Sequence, residues 1–126
     1  MEKIFNEIKR SPRFEKDLKY LLKRFRSLKE DLEMFIDTEL KLYHKLNIDN
    51  DGIFIIPNLG FSNPKTYKVT KFACKSLKGR GAKSGIRITY VFYEEEDIIE
   101  FVEMYFKGDK ENEDKDRLKC YKENIL

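Results

Sequence analysis

Eight cations occupy a stretch of this chain that holds no acid. Residues 53–92 carry Lys65, Lys68, Lys71, Lys75, Lys78, Arg80, Lys83 and Arg87, with no Asp or Glu among them. The whole chain has 26 basic and 23 acidic residues, so the remainder holds 18 basic against 23 acidic, a balance of −5. A surface of one sign attracts polyanions, and nucleic acid is the commonest polyanion in a cell. The residue types suggest a chemistry. RNA is cut without a metal when its 2′-hydroxyl attacks the adjacent phosphate, and the charge that grows on the phosphoryl oxygens then needs fixed cations. Arg87, Lys78 and Arg80 are the candidates to supply them.

Arg87 is the most telling of these. It takes the polar phase of an otherwise apolar strand, and its guanidinium is a planar fork of donors that matches phosphate oxygens. The alternative is a surface arginine paired with an acid across a sheet. Lys78, Arg80 and Lys83, with no acid among them, weigh against it. A proton acceptor is less obvious. A lysine crowded by other cations gives up its proton more readily, which makes Lys75 and Lys78 candidates. Lys68, Lys71, Lys75 and Lys83 are read as contacts to RNA, because like charges packed together destabilise a fold unless a ligand offsets them. An acidic protein partner would use the same cations.

The other motifs carry less. Asn47-x-Asp49-x-Asp51-Gly52 has the look of a calcium loop, but its twelfth position is Asn58, where a bidentate Glu is required. His44, the only histidine, reads as a solvated helix residue with no Ser or Cys partner placed by motif. Glu94, Glu95, Glu96 and Asp97 read as a solubilising turn. Cys74 and Cys120 lie 46 positions apart without a C-x-x-C pair, which is no zinc pattern, and Cys74 reads as a small core hydrophobe. There is no P-loop and no dinucleotide fingerprint. No metal and no cofactor is expected.

Placing the cations needs a scaffold. At 126 residues, 40% apolar and 13% aromatic, the chain reads as one domain over residues 1–126 with a real core. No apolar run exceeds four residues, so no membrane span is expected. The N-terminus lacks the apolar segment of a secretion signal, and the expectation is a cytoplasmic protein with reduced thiols. Ser11-Pro12 starts a helix, and Phe14, Leu18, Leu21, Leu22, Phe25 and Leu28 give it one apolar stripe. Ser27-Leu28-Lys29-Glu30 reads as a capping box opening a second helix, with Leu32, Phe35, Ile36, Leu40, Tyr43 and Leu46 as its apolar face. Turn chemistry follows over 47–52. A short strand or a buried loop is expected at 53–56, strands at 66–77, 86–93 and 98–106, and a polar helix over 109–126 that docks through Leu118, Tyr121 and Ile125. Residues 3–9 form an edge strand or extend the first helix. The fold class is α+β, with three or four mainly antiparallel strands packed on an N-terminal helical hairpin and a C-terminal helix. The sheet's other face then presents the cations.

Three segments together resemble a known family. Ser76-Leu77-Lys78-Gly79-Arg80-Gly81, Gly85-Ile86-Arg87-Ile88-Thr89-Tyr90 and Phe101-Val102-Glu103-Met104-Tyr105-Phe106-Lys107-Gly108-Asp109-Lys110 resemble toxins of the RelE/ParE superfamily from toxin–antitoxin modules. The layout is most similar to RelE- and HigB-like members. Phe14-Glu15-Lys16-Asp17-Leu18-Lys19-Tyr20-Leu21 resembles the family's first helix, and the likeness spans about residues 10–121. It implies a small sheet against a helical hairpin, matching the order read above. It also implies a ribosome-dependent endoribonuclease that cuts messenger RNA and is neutralised by a cognate antitoxin. In that frame Arg87 matches the strand arginine that stabilises charge on the scissile phosphate. Lys78 and Arg80 match basic residues of the preceding strand and loop, and Lys107 one at the end of the last strand. Lys110 substitutes for a further basic residue where Gly108 stands. Tyr121 stands for the family's C-terminal tyrosine at a longer spacing than usual. Two alternatives remain: a ParE-like relative acting on gyrase, and a basic binding module without catalysis.

Overall fold

Ser11 begins the first helix as its hydroxyl predicts. The computed structural model describes residues 4–121 apart from Ser62, Lys78, Arg80 and Ala82, and in it Ser11 Oγ accepts the Phe14 N–H at 3.1 Å, with Pro12 in the first turn. Helix α1 runs Pro12–Leu22 and buries Phe14, Leu18 and Leu21. Helix α2, Leu28–Phe35, does start after Ser27, but the expected capping box is absent. Ser27 has helical backbone angles, and its hydroxyl instead donates to the Asp31 carboxylate at 2.6 Å and accepts the Ser76 N–H at 2.8 Å. The chain continues without a break through a π-helical turn, Ile36–Leu40, into α3, Lys41–Lys45. Thr38, inside that turn, sends its hydroxyl back to the Met34 carbonyl at 2.7 Å, a local competitor to the regular ladder. Leu46, expected on the apolar face, is 52% exposed because the helix has ended.

The sheet has five strands, not three or four. Its order is β1-β5-β4-β3-β2, with β1 at Glu7–Arg10, β2 at Ile53–Ile55, β3 at Lys65–Val69, β4 at Ile86–Tyr93 and β5 at Ile98–Phe106. The segment before α1 is therefore an edge strand. It pairs parallel with β5, and every other pairing is antiparallel. The strand expected over 66–77 stops at Val69. The register with β2 runs one step further, the Thr70 N–H on the Gly52 carbonyl, and beyond it the buried Asp31 carboxylate accepts the Lys75 N–H at 3.2 Å. The Asp31 bond draws the chain onto α2, so the ladder does not continue.

The expected 109–126 helix is also shorter. Helix α4 is Lys115–Lys119, opened by Asp114, whose side chain accepts from the Asp116 and Arg117 N–H groups. Residues 110–114 stay outside the helix, and the buried Glu103 takes the Asp114 N–H at 2.8 Å. Leu118 and Tyr121 are buried as expected, and Ile125 lies outside the described residues.

Alternation along the strands divides the core. The side facing the helices packs Phe14, Leu28 and Leu32 against Ile88, Tyr90 and Phe101, all at or near zero exposure. Each such side chain contributes about 1.5–3 kcal/mol. The opposite side packs Ile56, Leu59, Val91 and Val102 under Leu118 and Tyr121. So the face expected to lie open carries α4 over part of its length. Cys74 is buried, as read from the sequence, and Cys120 is exposed.

Candidate nucleic-acid interface

A bulge sets the candidate site. On the β4/β5 ladder Tyr90 stands opposite Phe101, but Thr89 stands opposite Glu103, so Val102 is an extra residue on β5. Phe101 and Met104 face the helices, while Val102, Glu103 and Tyr105 face the other way. The registers then assemble two cross-strand rows on the face away from the helical hairpin. Arg87 stands opposite Tyr105, and Thr89 is flanked by Lys68 on β3 and Glu103 on β5. Directly opposed side chains in such a row touch, and diagonal neighbours lie about 7–8 Å apart.

Arg87 is half-buried and donates from one guanidinium nitrogen to the Thr70 carbonyl at 2.8 Å. Among the described residues it has no carboxylate partner, and Tyr105, not an acid, stands across the sheet from it. Lys107 lies one residue past β5, its N–H on the Gly85 carbonyl at 2.8 Å, two positions from Arg87 along the neighbouring strand. Lys83 bridges to Phe72 through its backbone. Both lysines are exposed, and no ion pair forms on either side chain among the described residues.

The remaining cations are dispersed or neutralised. Lys68 binds Glu113 at 2.9 Å, and Lys110 pairs with Glu103. Lys65 lies 3.2 Å from Glu94. Lys75 is 3.8 Å from Glu30, so its nearest charge is an anion, not the crowd of cations that the proton-acceptor role required. Lys71 donates to the Asn50 carbonyl at 3.0 Å. Lys71 and Lys75 both line a cleft of about 400 Å³ against α2, with Met34, Phe35 and Thr38, and so belong to the helical side of the molecule. Tyr121 is buried beside Val91, four positions from Arg87 along β4, and its hydroxyl donates to Glu100 at 2.5 Å. Burial and that carboxylate hold its proton tightly. Lys78 and Arg80 lie outside the described residues.

Sequence reasoning missed the group between Arg87 and the last helix. Glu103 is 2% exposed and accepts from both Lys110 and the Asp114 N–H. Burial lowers the Lys68 pKa, but its hydrogen bond to Glu113 and the nearby Tyr105 outweigh it, and the ammonium sits above its ordinary value. Glu113 answers in kind: burial raises it, the Lys68 hydrogen bond lowers it, and the carboxylate stays ionised. The Tyr105 hydroxyl is pushed up by burial, with Lys68 opposing. The Thr89 Oγ1 has no hydrogen-bond partner among the described residues. The signal was present in the sequence, since an acid inside a strand with both faces apolar must find a partner.

His44 corrects a second expectation. It is not solvated: its Nε2 meets the Tyr90 hydroxyl at 2.7 Å, and its ring packs against Tyr67 and Phe92 at centroid distances of 4.9 and 4.4 Å. Burial lowers its pKa to about 4, so the ring is neutral. It is half-buried against the core on the helical side.

The open end of the rows can therefore offer the Arg87 guanidinium and the Lys107 ammonium to an anion. Among the described residues no group of three or more His, Cys, Asp and Glu is placed to hold a metal ion, and no helix is long and apolar enough to cross a membrane. No protein-family model matches the chain, and no curated protein and no solved structure matches it.

Proposed function

We propose that this chain is an RNA-cleaving toxin of the RelE/HigB type. In that role it cuts messenger RNA on the ribosome, stops translation, and is held in check in the cytoplasm by an antitoxin. The supporting observation is Arg87: a guanidinium on a central strand, free of any described carboxylate, with donors to spare and Lys107 beside it. The element order, with a helical hairpin on one sheet face and a short last helix on the other, fits the fold that the resemblance implies. In the reaction the 2′-oxygen bonds to phosphorus, the bond to the 5′-oxygen breaks, and the 2′-proton leaves as a proton reaches the departing oxygen. Arg87 would hold the phosphoryl oxygens as their charge grows, a contribution typically worth about 10²–10³ in rate.

Expression of the chain should arrest growth, with protein synthesis stopping first and messages shortened. Arg87→Ala should relieve the arrest while leaving the protein folded. Full toxicity of Arg87→Ala would remove the assigned site, and an initial halt in DNA synthesis would point to the gyrase-directed alternative.

A second reading, a basic module that binds without cutting, is favoured by one feature. Lys65, Lys68, Lys75 and Lys110 each already hold a carboxylate. Such a module would show binding that falls steeply with salt and no cleaved message.

A further inference from the structure

Residues 110–114 lie across the cross-strand rows as a strap, and its composition is unusual. Residues 109–116 contain Asp109, Glu111, Glu113, Asp114 and Asp116 against Lys110 and Lys115. The strap itself, Lys110-Glu111-Asn112-Glu113-Asp114, has no apolar side chain, so hydrophobic burial does not hold it down. Its attachments are polar. Glu113 sits on Lys68 at 2.9 Å with its side chain 8% exposed, Lys110 reaches Glu103 and covers the Tyr105 ring at 5.2 Å, and the Asp114 N–H bonds Glu103.

Beneath the strap the sheet is underused. Thr89 is fully buried and its hydroxyl has no hydrogen-bond partner among the described residues, while the Tyr105 hydroxyl, on a side chain 5% exposed, has the Lys68 ammonium beside it. Buried hydroxyls are normally satisfied, so Thr89 calls for an explanation. Arg87, opposite Tyr105, spends one of five N–H donors on Thr70. An open concavity of about 510 Å³ adjoins Lys68 and runs along residues 112–116. An ammonium, a guanidinium and two hydroxyls on adjacent rows suit the non-bridging oxygens of a phosphodiester.

We infer that the strap is an internal stand-in for nucleic acid: the Glu113 carboxylate occupies, on Lys68, the position of a single-stranded RNA phosphate. Lifting residues 110–114 opens an anion site formed by Lys68, Arg87, Thr89 and Tyr105. This rests on the RNA-directed reading above and adds a closed state to it. Binding exchanges one anion for another on Lys68, so the ammonium keeps a partner in both states, and Glu113 moves into water.

The test is fluorescence anisotropy with a short labelled oligouridine, using the full chain, with circular dichroism to check folding. Glu113→Gln should bind about tenfold more tightly than the parent, a difference of about 1.4 kcal/mol. Adding Lys68→Met to Glu113→Gln should abolish the gain. Hydrogen exchange on the unaltered protein gives a measurement that does not depend on any variant folding. On addition of the oligonucleotide, amides of 110–114 should exchange faster, and those around Lys68 and Arg87 slower. Unchanged affinity in Glu113→Gln, or unchanged exchange in the strap, would overturn the inference while leaving the RNA reading intact if Arg87→Ala still weakens binding. Absence of RNA binding by parent and Glu113→Gln alike would overturn both. Equal binding of Glu113→Gln to a polyglutamate peptide would also overturn it, by assigning the site to an acidic protein segment.

Discussion

The two faces of this sheet solve the same problem in opposite ways. On the side of α1 and α2, nearly every inward position is apolar, and Phe14 stacks on Phe101 with ring centroids 5.2 Å apart. On the other side, half the length is sealed by Leu118 and Tyr121, and the other half by charges that lock onto each other. Apolar packing is non-directional and tolerates no substitute ligand. A cover of ion pairs can be exchanged for another anion at modest cost, so the charged half is where a ligand can enter. The contrast makes graded predictions. Phe14→Ala should cost about 3–5 kcal/mol in urea unfolding, because a fully buried ring leaves a cavity. Arg87→Ala should cost about 10²–10³ in RNA cleavage, yet shift the same unfolding midpoint far less. Arg87→Lys should not restore the activity, since an ammonium lacks the planar fork. A large stability loss in Arg87→Ala would mean that the charged half is as structural as the apolar half.

Much of the apolar half was legible in the sequence. The stripe from Phe14 to Leu21 and the alternation of Ile86, Ile88 and Tyr90 report their own burial through a fixed period. The charged half was not, for a physical reason. Whether Lys68 meets a phosphate or Glu113 depends on contacts 45 residues apart, and no period encodes them. The acid-free stretch was real as a sequence pattern, but the fold supplies acids from outside it: Glu30 from α2, Glu94 from the turn after β4, Glu113 from the strap. The β3 strand stopped short of residue 77 for the same reason, because Asp31, 44 residues away, captures the Lys75 backbone.

His44 belongs to the apolar half while still able to titrate, so it sharpens the contrast through pH. Its folded pKa of about 4 lies below its ordinary 6.5. The unfolded chain therefore binds the proton first as pH falls. The stability that neutral His44 confers is complete above 6.5, declines as pH drops below it, and is gone near 4. The loss should not exceed about 3 kcal/mol, and the partial exposure of the ring reduces it. Nearby Glu94 and Asp97 favour the protonated ring, and Lys45 and Lys65 oppose it. Urea unfolding of the parent and His44→Phe across this range should show a steeper decline in the parent. Parallel curves would mean that the ring is not buried as a neutral group.

The smallest effects test whether the charged half is a cover or only a surface. Lys65–Glu94 and Lys68–Glu113 are chemically alike, but the side chains of the first pair are 47% and 65% exposed, against 23% and 8% for the second. Exposed pairs couple by about 0–1 kcal/mol and are screened by salt. Double-mutant cycles to alanine should therefore give a coupling near zero for Lys65–Glu94 that vanishes in high salt, and a larger, salt-resistant coupling for Lys68–Glu113. Equal couplings would mean that water reaches Lys68 as freely as Lys65. The strap would then be a loop lying on solvent, and an RNA phosphate would have nothing to displace.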